Sequence, residues 1–275
     1  MGMIPAQFVY RQANSVAEAL SLLASCDDPK LLAGGHSLVP LMKMRLVSPS
    51  TLIDIGGIAE LKGVTESGDT LRIGALTRHR DVERSEVVAR HVPLLAHVAG
   101  LVGDPQVRNR GTIGGSLVHG DPAADLPSVA LATGATMVVT GASGERRVSA
   151  DDFFVDFLET AVGPDEILTA IEFPKRTGAG FGYEKFVRRS MDYAIVGVAV
   201  QAGDKPGIAL VNMGSVPRRA EAASKALAGG AGPDAVAALA AEGTNPPEDL
   251  NANADYRRHL ATILTKRALL AAGYR

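Results

Sequence analysis

The sequence predicts an α+β protein made of two parts, and three observations lead to that prediction. Strand-like and helix-like segments alternate in the first half, a break containing Pro, Lys and Gly covers residues 174–180, and strand-like segments followed by helices come after it. Alternation is typical of α/β layers, whereas a run of strands followed by helices is typical of a separate α+β domain. The length of 275 residues also fits two domains of about 150 residues each.

The first segment opens with a helix that Ser15 is expected to cap. Glu18 follows three residues later, which completes a capping-box pattern, and apolar residues then recur at helical spacing. A short apolar strand at 30–33, a glycine turn at 34–37, a helix at 38–46 and a strand at 51–55 come next.

The middle of the chain contains three more predicted strands and one interrupted helical region. Strands are expected at 71–75, 135–140 and 166–173, and helix is expected at 80–102 with a break near Pro93. Residues 104–125 are rich in Gly, Pro, Asn and Asp, which predicts a long irregular loop. Loops of that length are usually functional or disordered.

The second part changes character after the break. Residues 182–188, 194–201 and 208–216 have strand composition and short separations, which predicts an antiparallel sheet. Alanine-rich stretches at 217–229, 234–242 and 255–272 then predict helices.

Charge and hydropathy exclude several classes of function. The net charge of −2 leaves no broad basic surface that could neutralise nucleic-acid phosphates. The longest apolar runs, such as residues 194–200, are too short to cross a bilayer. Residues 1–11 lack the pattern of a secretory signal, so a cytoplasmic location is expected.

The chain has a single cysteine, Cys26. It allows no intrachain disulfide, and one thiolate cannot hold an iron–sulfur cluster or a Cys-rich zinc site. Any redox chemistry is therefore expected to depend on a bound organic cofactor.

Two glycine-rich loops, 33–37 and 112–116, are candidates for binding an anion. Glycine allows close approach of the backbone to a ligand, and consecutive N–H groups can converge on negative charge. Ser37, Thr112 and Ser116 add hydroxyl groups, so two facing loops would suit a pyrophosphate. The alternative is two ordinary tight turns. Neither loop fits the Rossmann or phosphate-loop glycine patterns.

A second cluster consists of His119, Asp121 and Asp125. It could form a mononuclear metal site or, together with Ser116, imitate a Ser–His–Asp triad, although a triad is assembled in space and not by crowding on one loop. The alternative is that the two aspartates cap a helix beginning near Pro122. His79, His91, His97 and His259 are expected to be surface or packing residues.

Basic and aromatic residues lie close together near the start of the second part: Tyr183, Lys185, Arg188, Arg189, Asp192 and Tyr193. A basic strand end could contact an anionic cofactor, and a tyrosine could lie against a ring system. A solvated strand edge with one packed tyrosine is an equally good interpretation.

Five stretches together resemble one known family. They are 33–46 (AGGHSLVPLMKMRL), 104–116 (DPQVRNRGTIGGS), 121–127 (DPAADLP), 183–198 (YEKFVRRSMDYAIVGV) and 254–268 (ADYRRHLATILTKRA). In this order, and over nearly the whole chain, they resemble the FAD-binding medium subunit of molybdenum-containing hydroxylases. That group includes aerobic carbon monoxide dehydrogenase and the flavin domain of xanthine dehydrogenase.

The resemblance implies a two-subdomain FAD-binding fold of the vanillyl-alcohol-oxidase (PCMH) type, followed by a C-terminal α+β domain. The FAD-binding domain would cover 1–176, with subdomains at about 1–57 and 58–176 that hold an extended FAD between them. The C-terminal domain, 177–275, would cover the isoalloxazine side.

The resemblance also implies cofactor contacts, residue by residue. The loops that match those wrapping the FAD pyrophosphate comprise Ala33, Gly34, Gly35, His36, Ser37 and Leu38, and Thr112, Ile113, Gly114, Gly115 and Ser116. Asp125 matches the acid that closes the second loop, and Leu168 and Lys185 match contacts from later strands. Tyr193 resembles the aromatic residue near the flavin ring in the carbon monoxide dehydrogenase branch. A histidine at position 36 also favours that branch. The implied binding is noncovalent, with no catalytic residue and no metal ligand on this chain.

By the same resemblance, the chain would be an electron-transfer subunit. Molybdopterin would lie on a large partner subunit and 2Fe–2S clusters on a small one, in a dimer of heterotrimers, and FAD would deliver electrons to NAD, a quinone or oxygen. Two alternatives stay open. One is a self-sufficient FAD-dependent oxidase or reductase of the same fold, and the other is a flavin-free assembly scaffold.

Overall fold

The computed structural model describes residues 4–275 and contains three main β-sheets, each covered by helices. The first sheet is parallel and has three strands in the order β1-β3-β2. Its elements are β1 (Val9–Gln12), α1 (Val16–Ser25), β2 (Pro29–Leu32), α2 (Leu38–Lys43) and β3 (Thr51–Asp54).

The helix predicted after Ser15 is confirmed, with one change in its cap. The Ser15 hydroxyl accepts a hydrogen bond from the Glu18 amide at 3.1 Å, as the capping box requires. The Glu18 carboxylate, however, accepts from the amide of Asn14 at 2.8 Å and not from Ser15 itself. The cap is therefore extended by one residue towards β1.

The second sheet has five antiparallel strands in the order β4-β5-β10-β6-β7. A 3-10 helix (Ala59–Leu61) leads into it. Its strands are β4 (Val64–Ser67), β5 (Thr70–Gly74), β6 (Thr136–Gly141), β7 (Gly144–Ser149) and β10 (Ile167–Pro174). The helices of this part are α3 (His79–Arg84), α4 (Glu86–His91), α5 (Pro93–Ala99), α6 (Pro105–Arg110), α7 (Ile113–His119), α8 (Asp125–Thr133) and α9 (Ala150–Phe153). Strands β8 (Phe154–Asp156) and β9 (Glu159–Thr160) pair with each other in a separate two-stranded sheet.

The prediction of an irregular loop over 104–125 is wrong, because this segment contains the two short helices α6 and α7. Asp104 caps α6 by accepting from the Val107 amide at 2.8 Å, and Pro105 occupies the first helical position. Thr112 caps α7, which ends at Gly120 with a left-handed φ of +65°. The residues that indicated a loop are therefore the caps of short helices.

The helix considered near Pro122 is present as α8 but begins at Asp125, and no side chain caps it. Asp121 accepts instead from the Ala123 amide at 2.8 Å and stabilises the turn between α7 and α8. The side chain of Asp125 takes no part in capping and is buried.

The third sheet is antiparallel and follows the chain in the order β11-β12-β13-β14. It contains β11 (Phe181–Phe186), β12 (Val196–Gln201), β13 (Gly207–Val211) and β14 (Arg218–Arg219), followed by α10 (Glu221–Ala228), α11 (Pro233–Ala238) and α12 (Ala254–Ala271). Helix α12 packs closely on β11 because Gly182 has no side chain, and a Cβ there would collide with the Ala268 carbonyl.

Helix α8 connects the second and third sheets. Every residue from Asp125 to Thr133 is buried, and the helix contacts α5 on one side and strands β12 and β13 on the other. Strand β10 similarly joins the first two sheets, because Ile167 packs in the core of the first and Leu168 in the core of the second. Among residues 4–275, the helices are too short or too polar for any of them to span a membrane.

Candidate cofactor-binding site

The structure places the two glycine loops against each other, although they lie far apart in sequence. A Cβ on Gly34 would collide with the Arg110 carbonyl and lie 2.8 Å from the Cα of Gly111. A Cβ on Gly115 would lie 3.8 Å from the Cβ of Ala33. The loop after β2 and residues 110–115, which include the first turn of α7, therefore form one surface, and glycine at position 34 allows their backbones to meet.

The first loop presents a row of main-chain donors. In the part of the chain that the structure describes, the N–H groups of residues 34–38 find no hydrogen-bond acceptor. Gly35 has a φ of +77°, which turns the backbone before the Val39 amide donates to the Gly35 carbonyl at 3.0 Å. Consecutive unpaired amides of this kind form a concavity that binds anions.

The second loop is built differently, since its own amides are used inside the protein. The Ile113 amide donates to the Thr77 carbonyl at 3.0 Å, and the Gly114 amide donates to the Ala75 carbonyl at 2.8 Å. The Gly115 amide donates to the Thr112 hydroxyl at 3.1 Å. The first two bonds attach the loop to the residues that follow β5, so its contribution to a ligand would come from Ser116 and from the shape of the loop.

His79 lies beneath the two loops and is buried, whereas the sequence predicted only a surface or packing residue there. A Cβ on Gly111 would be only 2.7 Å from the imidazole Cδ2, so glycine is what lets the ring fit there. Burial, together with the nearby His36 and Arg108, lowers the pKa of His79 to about 4. Its buried Nδ1 atom has no hydrogen-bond partner among the described residues. Since the residue belongs to no motif, only its three-dimensional position identifies it.

Asp125 is held by two side chains from the third sheet. The Tyr183 hydroxyl donates to Oδ1 at 2.6 Å, and the Lys185 ammonium lies 2.9 Å from Oδ2. Burial raises the pKa of Asp125, while Lys185 and Tyr183 act in the opposite direction. Of the basic group in this segment, only Lys185 is enclosed, and Arg188 and Arg189 are exposed. The sequence placed Tyr183 in the basic and aromatic cluster but did not predict its bond to Asp125, which lies 58 positions away.

Tyr193 lies on the segment between β11 and β12, next to a cavity of about 340 Å³ lined by Arg188, Met191, Asp192, Ile195 and Asn251. The side chain is 60% exposed. Partial burial of the phenol, with smaller effects from Asp121 and Asp125, raises its pKa. The aromatic ring is therefore available to a ligand on the side of the molecule where Asp125 is enclosed.

Leu168 is placed in the hydrophobic core and is only 4% exposed. It lies at an irregularity of β10, where the pairing with β6 shifts between Leu168 and Ala170. The next carbonyl, that of Thr169, accepts from the Ala75 amide at 2.9 Å, and Ala75 in turn holds Gly114. Because the Leu168 side chain is buried in the core, a contact of this residue with a cofactor would involve its main chain.

The structure does not assemble a triad or a metal-ligand cluster from Ser116, His119, Asp121 and Asp125. Over residues 4–275, no three His, Cys, Asp or Glu side chains come close enough to hold a metal ion. Asp125 is instead bound to Tyr183 and Lys185. Burial lowers the pKa of His119, and Asp121 opposes that effect.

Comparison with known proteins gives a consistent family. Residues 6–176 match the family model described as FAD binding domain in molybdopterin dehydrogenase, and residues 181–272 match the CO dehydrogenase flavoprotein C-terminal domain. The carbon monoxide dehydrogenase medium chain of Hydrogenophaga pseudoflava is 42% identical over 98% of both chains. The glyceraldehyde dehydrogenase medium chain of Sulfolobus acidocaldarius is 38% identical, over 97% of this chain and 98% of that protein.

Solved structures confirm the predicted fold class. The carbon monoxide dehydrogenase from Hydrogenophaga pseudoflava that lacks the Mo-pyranopterin moiety of the molybdenum cofactor contains a chain that superposes with a TM-score of 0.93. The two chains are 43% identical, and 98% of each is covered. The superposition therefore includes both regions that match the family models, residues 6–176 and 181–272.

Proposed function

Since this chain belongs to the FAD-binding medium subunits of molybdenum-containing hydroxylases, we propose that it binds FAD noncovalently across the junction of its three sheets and transfers electrons from a partner's iron–sulfur clusters to an external acceptor. Bound FAD supplies a carrier that accepts and releases electrons singly or in pairs. The protein's own residues contribute binding, orientation and electrostatics.

The observation that carries this proposal is the row of unpaired amides at residues 34–38. A pyrophosphate bears two negative charges and can accept several hydrogen bonds, so it fits this concavity better than a neutral ligand does. The second loop lies against Gly34 from the other side, and we assign a contact with the pyrophosphate to its Ser116 hydroxyl. We assign the pyrophosphate to Ala33, Gly34, Gly35, His36, Ser37 and Leu38 and to Thr112, Ile113, Gly114, Gly115 and Ser116.

The isoalloxazine ring is assigned to the side where the C-terminal sheet meets α8. Lys185 and Asp125 form a buried charged pair there, and Tyr193 offers an exposed aromatic face. A buried polar pair can fix polar edges of a ring, while an aromatic side chain stacks on its face. Leu168 contributes through its main chain on the strand that joins the first two sheets.

We propose that the chain works as one subunit of a cytoplasmic complex with a large molybdopterin subunit and a small 2Fe–2S subunit, assembled as a dimer of heterotrimers. Three facts support the division of the cofactors among separate subunits. The chain has one cysteine and cannot hold an iron–sulfur cluster. Its relatives are called medium chains. Relatives of similar identity are named for carbon monoxide and for glyceraldehyde, and this supports a substrate site on another subunit.

The test is an absorption spectrum of the purified complex, repeated on the supernatant after acid precipitation. Flavin peaks that move into the supernatant are the expected result and establish noncovalent FAD. Flavin left in the pellet would indicate covalent attachment, with His36 as the nearest histidine of the loop, and would favour a self-sufficient oxidase. A colourless complex that takes up no added FAD would overturn the proposal.

A further inference from the structure

Asn212 occupies an unusual position immediately after strand β13. Its φ is +61°, in the left-handed region that non-glycine residues rarely adopt, although asparagine tolerates it better than most. Such a conformation persists only where the surrounding structure holds it, and it occurs often at functional sites. The contacts of Asn212 show what holds it.

Both donor groups of Asn212 bind carbonyls of the proposed flavin site. Its side-chain Nδ2 donates to the Ala194 carbonyl at 2.8 Å, and its main-chain amide donates to the Pro122 carbonyl at 2.7 Å. Ala194 directly follows Tyr193, and Pro122 lies in the turn that leads to Asp125. One residue therefore connects the tyrosine segment to the carboxylate segment.

The main chain after Tyr193 is held at further points. The Ile195 carbonyl accepts a hydrogen bond from the fully buried guanidinium of Arg257, and the Ile195 amide donates to the Phe186 carbonyl at 2.8 Å. The side chains before this point are free of such contacts, since Met191 and Tyr193 are 61% and 60% exposed. The backbone is thus rigid where it leaves Tyr193, while the ring itself is open to a ligand.

We propose that Asn212 is a positioning residue that sets the Tyr193 ring relative to the Asp121–Asp125 turn, and hence against the flavin. The inference rests on the proposed FAD site. In its favour, the left-handed backbone directs the amide N–H and the side-chain amide to two different segments at once. A residue that only ended a strand would need a partner for its main-chain N–H but not the second bond, from its side chain to the Ala194 carbonyl. Rigid support of this kind is what keeps a site residue in its working geometry.

The test is a double-mutant cycle in the purified complex. Asn212→Gly keeps the left-handed backbone and the amide bond to Pro122 but removes the bond to Ala194. Asn212→Asp keeps the size of the side chain and replaces its donor with an acceptor. Both are compared with Tyr193→Ala, with the double variant Asn212→Gly/Tyr193→Ala, and with the control Asp28→Gly, an exposed residue whose φ is +37°.

The readouts are FAD content, the fluorescence lifetime of bound FAD and its midpoint potential. A tyrosine in contact with the ring quenches flavin fluorescence by electron transfer. Both Asn212 variants are expected to retain FAD, lengthen the lifetime and shift the potential in the same direction as Tyr193→Ala. Asn212→Gly is expected to add nothing further in the Tyr193→Ala background, because coupled residues are not additive. Asp28→Gly is expected to behave as wild type.

Three results would overturn the inference. The first is a wild-type lifetime and potential in both Asn212 variants with FAD retained. The second is a shift from Asn212→Gly that is equally large with and without Tyr193, and the third is loss of FAD from both variants while Tyr193→Ala retains it. A wild-type complex without FAD would be recognised separately, because it would overturn the proposed function as well.

Discussion

The ammonium of Lys185 lies 2.9 Å from the carboxylate of Asp125, and both side chains are less than a tenth exposed. Lys185 is on the first strand of the third sheet, and Asp125 is the first residue of the helix that packs between the second and third sheets. The pair therefore forms a charged contact across a domain junction. Buried pairs of this kind contribute little net stability, but removing one partner is costly because the other charge stays buried.

Lys185→Met is expected to lower the free energy of unfolding by about 3–5 kcal/mol near neutral pH. The pKa of Asp125, already raised by burial, should rise further without the ammonium. A raised folded-state pKa means that the folded protein holds its proton more tightly than the unfolded chain, so the destabilisation should shrink as the pH falls. Urea unfolding between pH 5 and 8 measures this.

The matched control is Asp125→Asn/Lys185→Met, which removes both charges. It should recover much of the stability lost in Lys185→Met, because no unpaired charge remains. A single variant as stable as wild type, or a loss of stability that does not change with pH, would contradict the assignment of a buried ion pair.

Gly35→Ala tests the anion-binding loop against an equivalent glycine elsewhere. Gly35 and Gly134 have φ values of +77° and +70°. Alanine at either position should cost about 1–2 kcal/mol of backbone strain. At Gly35 the added Cβ would also lie 3.2 Å from the side chains of Leu32 and Val39, whereas at Gly134 it would meet nothing within 4 Å.

Only Gly35→Ala should therefore weaken FAD binding, since it displaces the amides of residues 34–38. FAD content of the assembled complex after equilibrium dialysis checks this, with unfolding curves to measure the stability loss of each variant. Equal FAD content in the two variants would show that the loop does not bind the pyrophosphate.

The sequence predicted most elements that have a strong local signal. Ser15 and Glu18 identified the start of α1, and runs of apolar residues located β3, β10 and β12. Such signals depend only on neighbouring residues, so they can be read without the fold. The two glycine loops were identified in the same way, although their contact with each other was not derivable from residue spacing.

The failures share a physical cause, which is that the deciding contacts are tertiary. The segment before Asp125 was interpreted as a loop because cap residues and loop residues are the same residue types. Strand β7 was missed because its residues are mostly exposed and charged, and an ion pair between Arg147 and Glu172 ties it across β6 to β10. Tyr183 and His79 belong to the site only through residues distant in sequence.

His79 should make the folded protein sensitive to acid. Its pKa is lowered from 6.5 to about 4 by burial first and by neighbouring positive groups second. Between these pKa values the unfolded chain binds a proton at His79 and the folded protein does not. The free energy of unfolding is therefore highest above about pH 6.5 and falls as the pH decreases towards 4. A shift of this size corresponds to about 3 kcal/mol.

Unfolding free energies of wild type and His79→Gln, measured from pH 7.5 to 4, test this. The variant should lose less stability over that interval. Burial also lowers the pKa of His119, so His119→Gln is measured alongside to separate the two contributions. An identical pH dependence in wild type and His79→Gln would show that His79 does not titrate as its burial requires.

Tyr193→Ala should separate the aromatic ring's effect on the flavin from its effect on the fold. Since the side chain is 60% exposed and makes no hydrogen bond within residues 4–275, its removal should change the free energy of unfolding by less than about 0.5 kcal/mol. FAD content should be unchanged because the pyrophosphate loops are intact.

The midpoint potential or the oxygen reactivity of the bound flavin should shift in Tyr193→Ala, since stacking and solvent access at the ring both change. Tyr193→Phe keeps the ring and should restore the wild-type values, whereas a phenylalanine variant that behaves like the alanine variant would assign the effect to the hydroxyl. If neither property changes in Tyr193→Ala, the residue does not contact the flavin.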